Sequence, residues 1–274
     1  IAGNILLNCA AVIQKGDLLA LIPKTFLPNY SEFYEKRWFA SSQDLNPIDI
    51  LYAGSSIHIT NQPTIFRTYT GATFGIELCE DVWAPEPPST RLCLSGADII
   101  FNLSASDELI GKHNYLCSLL SQQSARTMSG YVYSSSGFGE STQDLVYGGN
   151  ALIYENGNEV ASSERFSFES QMIVAQIDYE MLRAERRNNT TFINAQRPTS
   201  LSHTLPQVRF INCHSTQIRD FVLERYVNPT PFIPASADMK ESCEEIFNIQ
   251  VAALAKRLVH TNCNTVVIGI SGGL

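Results

Sequence analysis

Gly75-Ile76-Glu77-Leu78-Cys79-Glu80-Asp81-Val82-Trp83 closes an apolar run, Ala72 to Leu78, on a cysteine that two carboxylates and a tryptophan follow at once. The run reads as a buried strand. A thiol at the carboxyl end of a strand can face a cleft rather than the core, which is where a nucleophile must sit. Taken alone, such a cysteine reads more readily as a small buried hydrophobe. The residues on either side of it reverse that reading.

Upstream, the apolar runs Asn4 to Val12 and Leu18 to Ile22 are joined by Gln14-Lys15-Gly16-Asp17, a hairpin signal, so Lys24 emerges at a strand end. Phe33 to Phe39 suits one or two helical turns, and Ile48 to Tyr52, Ser56 to Ile59 and Thr64 to Tyr69 suit short strands. Downstream, Pro85, Pro87 and Pro88 break the chain and Ala97 to Asn102 reads as the next buried strand. Lys112 to Met128 has helical periodicity, with Tyr115, Leu116, Leu119, Leu120 and Ala125 as its apolar face. Tyr131 to Ser135 follows as a strand; Asn150 to Tyr154 and Glu159 to Ser162 flank the turn Asn156-Gly157. Met172 to Ile177 reads as a strand, and Tyr179 to Arg187 as a charged helix whose Arg183, Arg186 and Arg187 form a solvated face. Hairpins mixed with two or three long helices predict an α/β layered class, two sheets covered by helices.

Asn228 to Asp238 holds three prolines and few strong elements, which marks a linker. Three parts result: 1–227, a linker at 228–240, and 241–274. The last begins with an amphipathic helix, Cys243 to Val259, and a strand, Thr265 to Ile270, that enters Ser271-Gly272-Gly273. The chain opens on Ile1-Ala2-Gly3 without a methionine and closes in a glycine turn, which suggests a fragment.

Bulk properties narrow the class. At 274 residues, 44% hydrophobic and 17% charged, the composition is that of a globular protein. A net charge of −8 argues against binding nucleic acid or an anionic membrane, both of which need a basic face. No apolar run approaches the roughly 20 residues that span a bilayer. Seven scattered cysteines without a Cys-x-x-Cys pair fit reduced thiols in the cytoplasm, not a disulfide framework, and neither they nor the histidines show metal spacing. Cys9, Cys93, Cys117, Cys213, Cys243 and Cys263 are expected as core or surface thiols.

A catalytic cysteine needs a base or a nearby cation, because a free thiol is only slightly ionised at neutral pH. Lys24 offers the cation, and Glu35 or Glu80 a carboxylate. The strand ends carrying Lys24, Cys79 and Asn102 to Ser106 would converge on one sheet edge, where α/β sites lie.

Pro23-Lys24-Thr25-Phe26-Leu27-Pro28-Asn29-Tyr30 with Phe33-Tyr34-Glu35-Lys36-Arg37-Trp38-Phe39 resembles the lysine segment of glutamine-dependent NAD+ synthetases. Cys79-Glu80-Asp81-Val82-Trp83 resembles their cysteine segment, Asn102-Leu103-Ser104-Ala105-Ser106 and Lys112 their next motif, and Ser271-Gly272-Gly273 the start of the phosphate loop of their synthetase domain. The four motifs occur in the family's order and cover nearly the whole chain.

The resemblance implies a nitrilase-like α-β-β-α four-layer sandwich, its amino-terminal part missing, followed by the first helix and strand of a Rossmann-like ATP-pyrophosphatase domain. It implies a glutaminase in which Cys79 attacks the side-chain amide of glutamine to form a glutamyl thioester. Lys24, with the backbone N–H of Glu80, stabilises the oxyanion. Glu35 matches a second carboxylate near the lysine, which either orients Lys24 or simply solvates the loop, and Tyr30, Glu80, Ser106 and Lys112 grip the amino acid's charged groups. Lys112 stands where the family often has arginine and gives up bidentate geometry. The ammonia then aminates adenylated deamido-NAD+, with ATP and Mg2+ in the synthetase domain and no cofactor or metal in the glutaminase; the whole is expected as a cytoplasmic homo-oligomer. The superfamily triad is Glu–Lys–Cys, and here no acidic residue precedes Lys24 except Asp17. This polypeptide alone is therefore expected to turn over neither glutamine nor deamido-NAD+. Two other readings stay open: a free-standing nitrilase-type amidase or carbamoylase, and a non-catalytic nitrilase-like interaction module.

Overall fold

Paired left-handed residues set the hairpins. Lys15 and Gly16 at φ 53° and 89°, Ala53 and Gly54 at 50° and 78°, and Asn156 and Gly157 at 47° and 88° each make the two-residue turn whose twist matches antiparallel strands. They join β1 (Cys9–Gln14) to β2 (Asp17–Pro23), β3 (Ile48–Tyr52) to β4 (Ser55–Ile59), and β9 (Ala151–Glu155) to β10 (Asn158–Ser162). The structure, a computed structural model, describes residues 3–140, 144–196, 207–214, 222–233, 239–270 and 272. It falls into two units, 1–223 and 224–274.

In the first unit one seven-stranded sheet runs in the order β10, β9, β8 (Gly130–Ser135), β7 (Ile99–Ser104), β6 (Thr73–Leu78), β5 (Thr64–Arg67) and β11 (Arg209–Asn212). β6, β7 and β8 are mutually parallel, with Leu78 beside Leu103 and Ser104 beside Ser135. One face carries Ile65, Ile100, Tyr131, Tyr133, Leu152 and Tyr154 against α1 (Pro88–Leu94) and α2 (Lys112–Thr127), through Leu92, Cys93, Leu116 and Leu120. Burying one such leucine stabilises the fold by roughly 2 kcal/mol. Gly75 lets α1 approach, since a Cβ there would stand 2.9 Å from Leu92 Cδ1. The other face, with Phe66, Ile76 and Leu78, takes the β1–β2 ribbon through Ala10 and Ala20. The β3–β4 ribbon packs on Leu18 and Leu21 at the edge of that layer.

Several expectations change. The α/β layered expectation holds, with one seven-stranded sheet and two two-stranded ribbons supplying its sheet layers among the described residues; other expectations do not. Pro88 does not break the chain but opens α1, where its missing N–H costs nothing. Residues 172–177 form no strand: Met172 and Val174 are exposed and the segment joins no described sheet. β11 and α4 (Thr190–Ala195) lack strong sequence signals; β11 pairs with β5, far away in sequence. α3 (Tyr179–Asn188) is a solvated arginine face only at exposed Arg187: Arg183 pairs with Asp98 at 2.7 Å, and buried Arg186 donates to the carbonyls of Thr127 and Met128. Tyr115 is an exposed member of the supposed apolar face of α2, stacked on Trp83.

In the second unit α5 (Met239–His260) covers the predicted helix, while residues 265–270 form no strand and join no described sheet. Residues 234–238 of the proposed linker lie outside the described residues, as do Ser271 and Gly273 of the glycine turn; Gly272 belongs to no helix or strand.

Candidate active site

The chain leaves β6 through a 3-10 turn, Cys79–Trp83, and Cys79 begins it at φ +46°. A left-handed conformation costs a side-chain-bearing residue on the order of 1–2 kcal/mol and survives only where neighbours hold it. Two groups do so. The Asn102 amide brackets the Cys79 backbone, its Oδ1 accepting the N–H at 3.1 Å and its Nδ2 reaching the carbonyl at 3.4 Å. Asp81 caps the turn by accepting the N–H of Leu78 at 2.9 Å.

Asp81 also joins the cysteine segment to the lysine segment. Its Oδ1 accepts the N–H groups of Thr25 at 3.1 Å and Phe26 at 2.7 Å, the two residues after Lys24. Lys24 itself is buried and pairs with Glu35 at 2.5 Å, while Asn8 Nδ2 holds the other Glu35 oxygen at 2.7 Å. A buried cation is tolerated here because the carboxylate faces it directly.

A cleft of about 560 Å³ follows, at the carboxyl ends of the parallel strands. Lys24, Glu35 and Cys79 line it, with Leu103, Ser104 and Tyr147. Cys9, expected among the core or surface thiols, lines it too, but burial pushes its pKa up to about 11, so it stays a neutral thiol near pH 7. Leu145 and Tyr147 come from a loop whose composition carries no such signal. Another cavity of about 330 Å³ beside Thr25, Arg91 and Leu92 is lined by neither a cysteine nor a lysine.

The remaining candidates form a second group beside the cleft and do not line it. Tyr30 donates its hydroxyl to Glu80 at 2.8 Å. Burial raises the Glu80 pKa, opposed by that hydrogen bond and by the charges of Lys24 and Lys112. Lys112 pairs with Asp107 at 2.5 Å and sits 5.7 and 5.8 Å from the ring centres of Phe33 and Trp83. Ser106 donates its backbone N–H to the Ser135 hydroxyl. Sequence reasoning missed Asn8, Asp81 and the bracketing role of Asn102; polar residues adjoining the Lys24 and Cys79 segments were the available signal. No group of three or more His, Cys, Asp or Glu among the described residues could hold a metal ion, and no described helix is long and apolar enough to cross a membrane.

Asp81→Ala leaves the three N–H groups of Leu78, Thr25 and Phe26 without their acceptor, an expected loss of roughly 3 kcal/mol in urea unfolding. Burial raises the Asp81 pKa from 3.8 to about 6. The folded state therefore binds this proton more tightly, and the associated stability is full below the unfolded value and lost as pH rises through 6. The Asp81→Ala penalty should thus be larger at pH 5 than at pH 8, by on the order of 1 kcal/mol. An equal penalty at both pH values would mean that Asp81 does not titrate as its burial requires.

A mixed sheet with helices on one face and a strand ribbon on the other, bearing cysteine and lysine in one cleft at its strand ends, has the fold of a carbon–nitrogen hydrolase. A carbon–nitrogen hydrolase from Helicobacter pylori superposes with a TM-score of 0.53 at 20% identity, over 72% of this chain and 64% of that one. The glutamine-dependent NAD+ synthetase of Cytophaga hutchinsonii superposes with the same score at 26% identity, over 61% of this chain and 26% of that one. In sequence, the glutamine-dependent NAD+ synthetase of Mycobacterium tuberculosis is 37% identical over 270 residues, 97% of this chain. The chain is a homologue of the glutamine-dependent NAD+ synthetases along nearly its whole length, and it spans about two fifths of theirs, 39% of that relative. No protein-family model matches the chain.

Proposed function

We propose that this chain carries the glutaminase site of a glutamine-dependent NAD+ synthetase. The observation that carries the reading is the shared cleft: a half-buried cysteine in a strained turn and a buried lysine–glutamate pair open into one space at the carboxyl ends of parallel strands. Cys79 Sγ forms a bond to the amide carbon of glutamine, the carbonyl electrons move to oxygen, and Lys24 stabilises the resulting oxyanion. Collapse breaks the C–N bond. The nitrogen leaves as ammonia with the thiol's proton, and a glutamyl thioester remains on Cys79 for water to hydrolyse.

Glu35 holds the Lys24 ammonium in place and neutralises it in the resting site. Tyr30 and Glu80 present an acidic, hydrogen-bonded edge for the substrate's ammonium, and Lys112 a cation for its carboxylate. The ammonia would pass to ATP-activated deamido-NAD+ in a synthetase part of the protein, a step that rests on the homology and the sequence motifs, not on any described residue.

Selectivity tests the reading. The full-length protein should release ammonia from glutamine with kcat/KM about 10²-fold or more above that for butyramide, which lacks both charged groups. Equal values for the two amides would instead favour a general amidase. No release from either, with Cys79 intact, would favour a non-catalytic module.

A further inference from the structure

Glu77 lies fully buried two residues before the nucleophile, on the helix-facing side of β6, and takes no part in the chemistry above. Both of its oxygens accept hydrogen bonds. Oε2 takes the Ser89 N–H at the start of α1 at 2.7 Å, and Oε1 takes the Tyr131 hydroxyl from β8. The Tyr131 oxygen accepts from Asn102 Nδ2 at 3.2 Å. The other end of the same amide, Asn102 Oδ1, accepts the Cys79 N–H and the Ser104 hydroxyl, each at 3.1 Å.

This series has a direction. A phenol has one proton; given to Glu77, it leaves the Tyr131 oxygen to accept from the NH2 end of Asn102. The carbonyl end is then turned to the Cys79 N–H. If Glu77 became a donor, the phenol proton would seek another acceptor, and the amide's NH2 end could be drawn away from it. Flipping that amide would set donor against donor at the residue whose φ of +46° most needs support. An ionised Glu77 thus fixes, through two intervening side chains, the half of the bracket that grips the nucleophile's backbone.

We propose that Glu77 is a positioning residue for the nucleophile, acting through Tyr131 and Asn102 to hold the Cys79 backbone in its reactive conformation. The proposal rests on the reading of Cys79 as the nucleophile. Burial raises the Glu77 pKa to about 7, with nearby Asp81 raising it further and the Tyr131 and Ser89 hydrogen bonds opposing the rise. Cys93 of α1 also lies within the field of Glu77, and Arg186 of α3 within reach of Cys93. The support should therefore slacken as pH falls through neutrality and Glu77 takes a proton.

The test measures kcat and KM for glutamine, and the rate of Cys79 alkylation by a glutamine-analogue diazoketone, in the full-length protein and in Glu77→Gln, Tyr131→Phe and the double variant. Each single substitution should lower kcat by roughly 10–100-fold, the scale found when groups that orient reactive ligands are removed. KM should stay within about twofold, because the substrate's binding groups are untouched. The double variant should be no slower than the slower single, since both changes cut one path. An acid limb in kcat near pH 7 should vanish in Glu77→Gln, leaving any limb near pH 6 that belongs to Asp81. Wild-type kcat with an unchanged limb in Glu77→Gln, or losses that multiply in the double variant, would overturn the proposal; Tyr131→Phe keeps it testable should Glu77→Gln fold poorly. A wild-type protein that neither releases ammonia nor is alkylated at Cys79 would overturn the nucleophile reading itself, and the proposal with it.

Discussion

Replacing Cys79 by alanine is expected to lower ammonia release from glutamine on the order of 10⁵-fold or more, the scale of losing a covalent nucleophile outright. The substitution removes only the sulfur. The strained turn, the Asn102 bracket and the Asp81 cap are all made by backbone atoms or other side chains, so the variant should fold with its cleft intact. Its affinity for glutamine should stay within about threefold, because Tyr30, Glu80 and Lys112 remain in place. Residual turnover above a tenth of the wild-type rate, measured as ammonia release by the purified full-length protein, would remove Cys79 from the chemistry. Cys9 could not substitute: its thiol shares the cleft, but burial holds it protonated.

Lys24→Met carries the second-largest expected effect, a fall in kcat of roughly 10²–10³-fold, the usual loss when one donor to a developing oxyanion is removed. Two consequences must be separated here. Buried Lys24 pairs at 2.5 Å with the partly buried Glu35, so removing the cation also leaves a carboxylate whose remaining described hydrogen-bond donor is Asn8. Breaking a buried pair from one side typically costs about 3–5 kcal/mol of stability. Lys24→Met with Glu35→Gln removes both charges and should recover most of that stability, as read by urea unfolding, while kcat stays low. Recovery of kcat along with stability would show that Lys24 supports the fold rather than the oxyanion.

Local chemistry made the hairpins and the long helix legible from sequence. Lys15-Gly16 and Asn156-Gly157 announce left-handed turns by residue type, and the spacing of Leu116 and Leu120 announces α2. What depends on distant partners was not legible. β11 exists because β5 offers it a parallel edge, whereas residues 172–177, with Met172 and Val174 exposed, join no described sheet. Arg186 looked like a surface charge because its acceptors, the carbonyls of Thr127 and Met128, lie nearly sixty positions away.

The cleft followed the same division. Strand ends named Lys24 and Cys79 as neighbours, and the structure places both in one cleft with Glu35. Asp81 was visible in the sequence only as the second acid after a cysteine. Its three backbone partners, which bind the lysine segment to the cysteine turn, are a property of the folded chain. Glu77 was harder still. An acid inside an apolar strand looks like a misplaced surface residue until Tyr131 and the amino end of α1 surround it.

The most direct measurement of the central claim is the covalent state of Cys79 during turnover. Full-length protein mixed with glutamine, quenched in acid within milliseconds and digested, should yield the Cys79 peptide carrying the added mass of a glutamyl group. That adduct should disappear once the glutamine is exhausted and be absent from Cys79→Ala. Steady ammonia release with an unmodified Cys79 peptide at every quench time, or the glutamyl mass on another residue, would contradict the account.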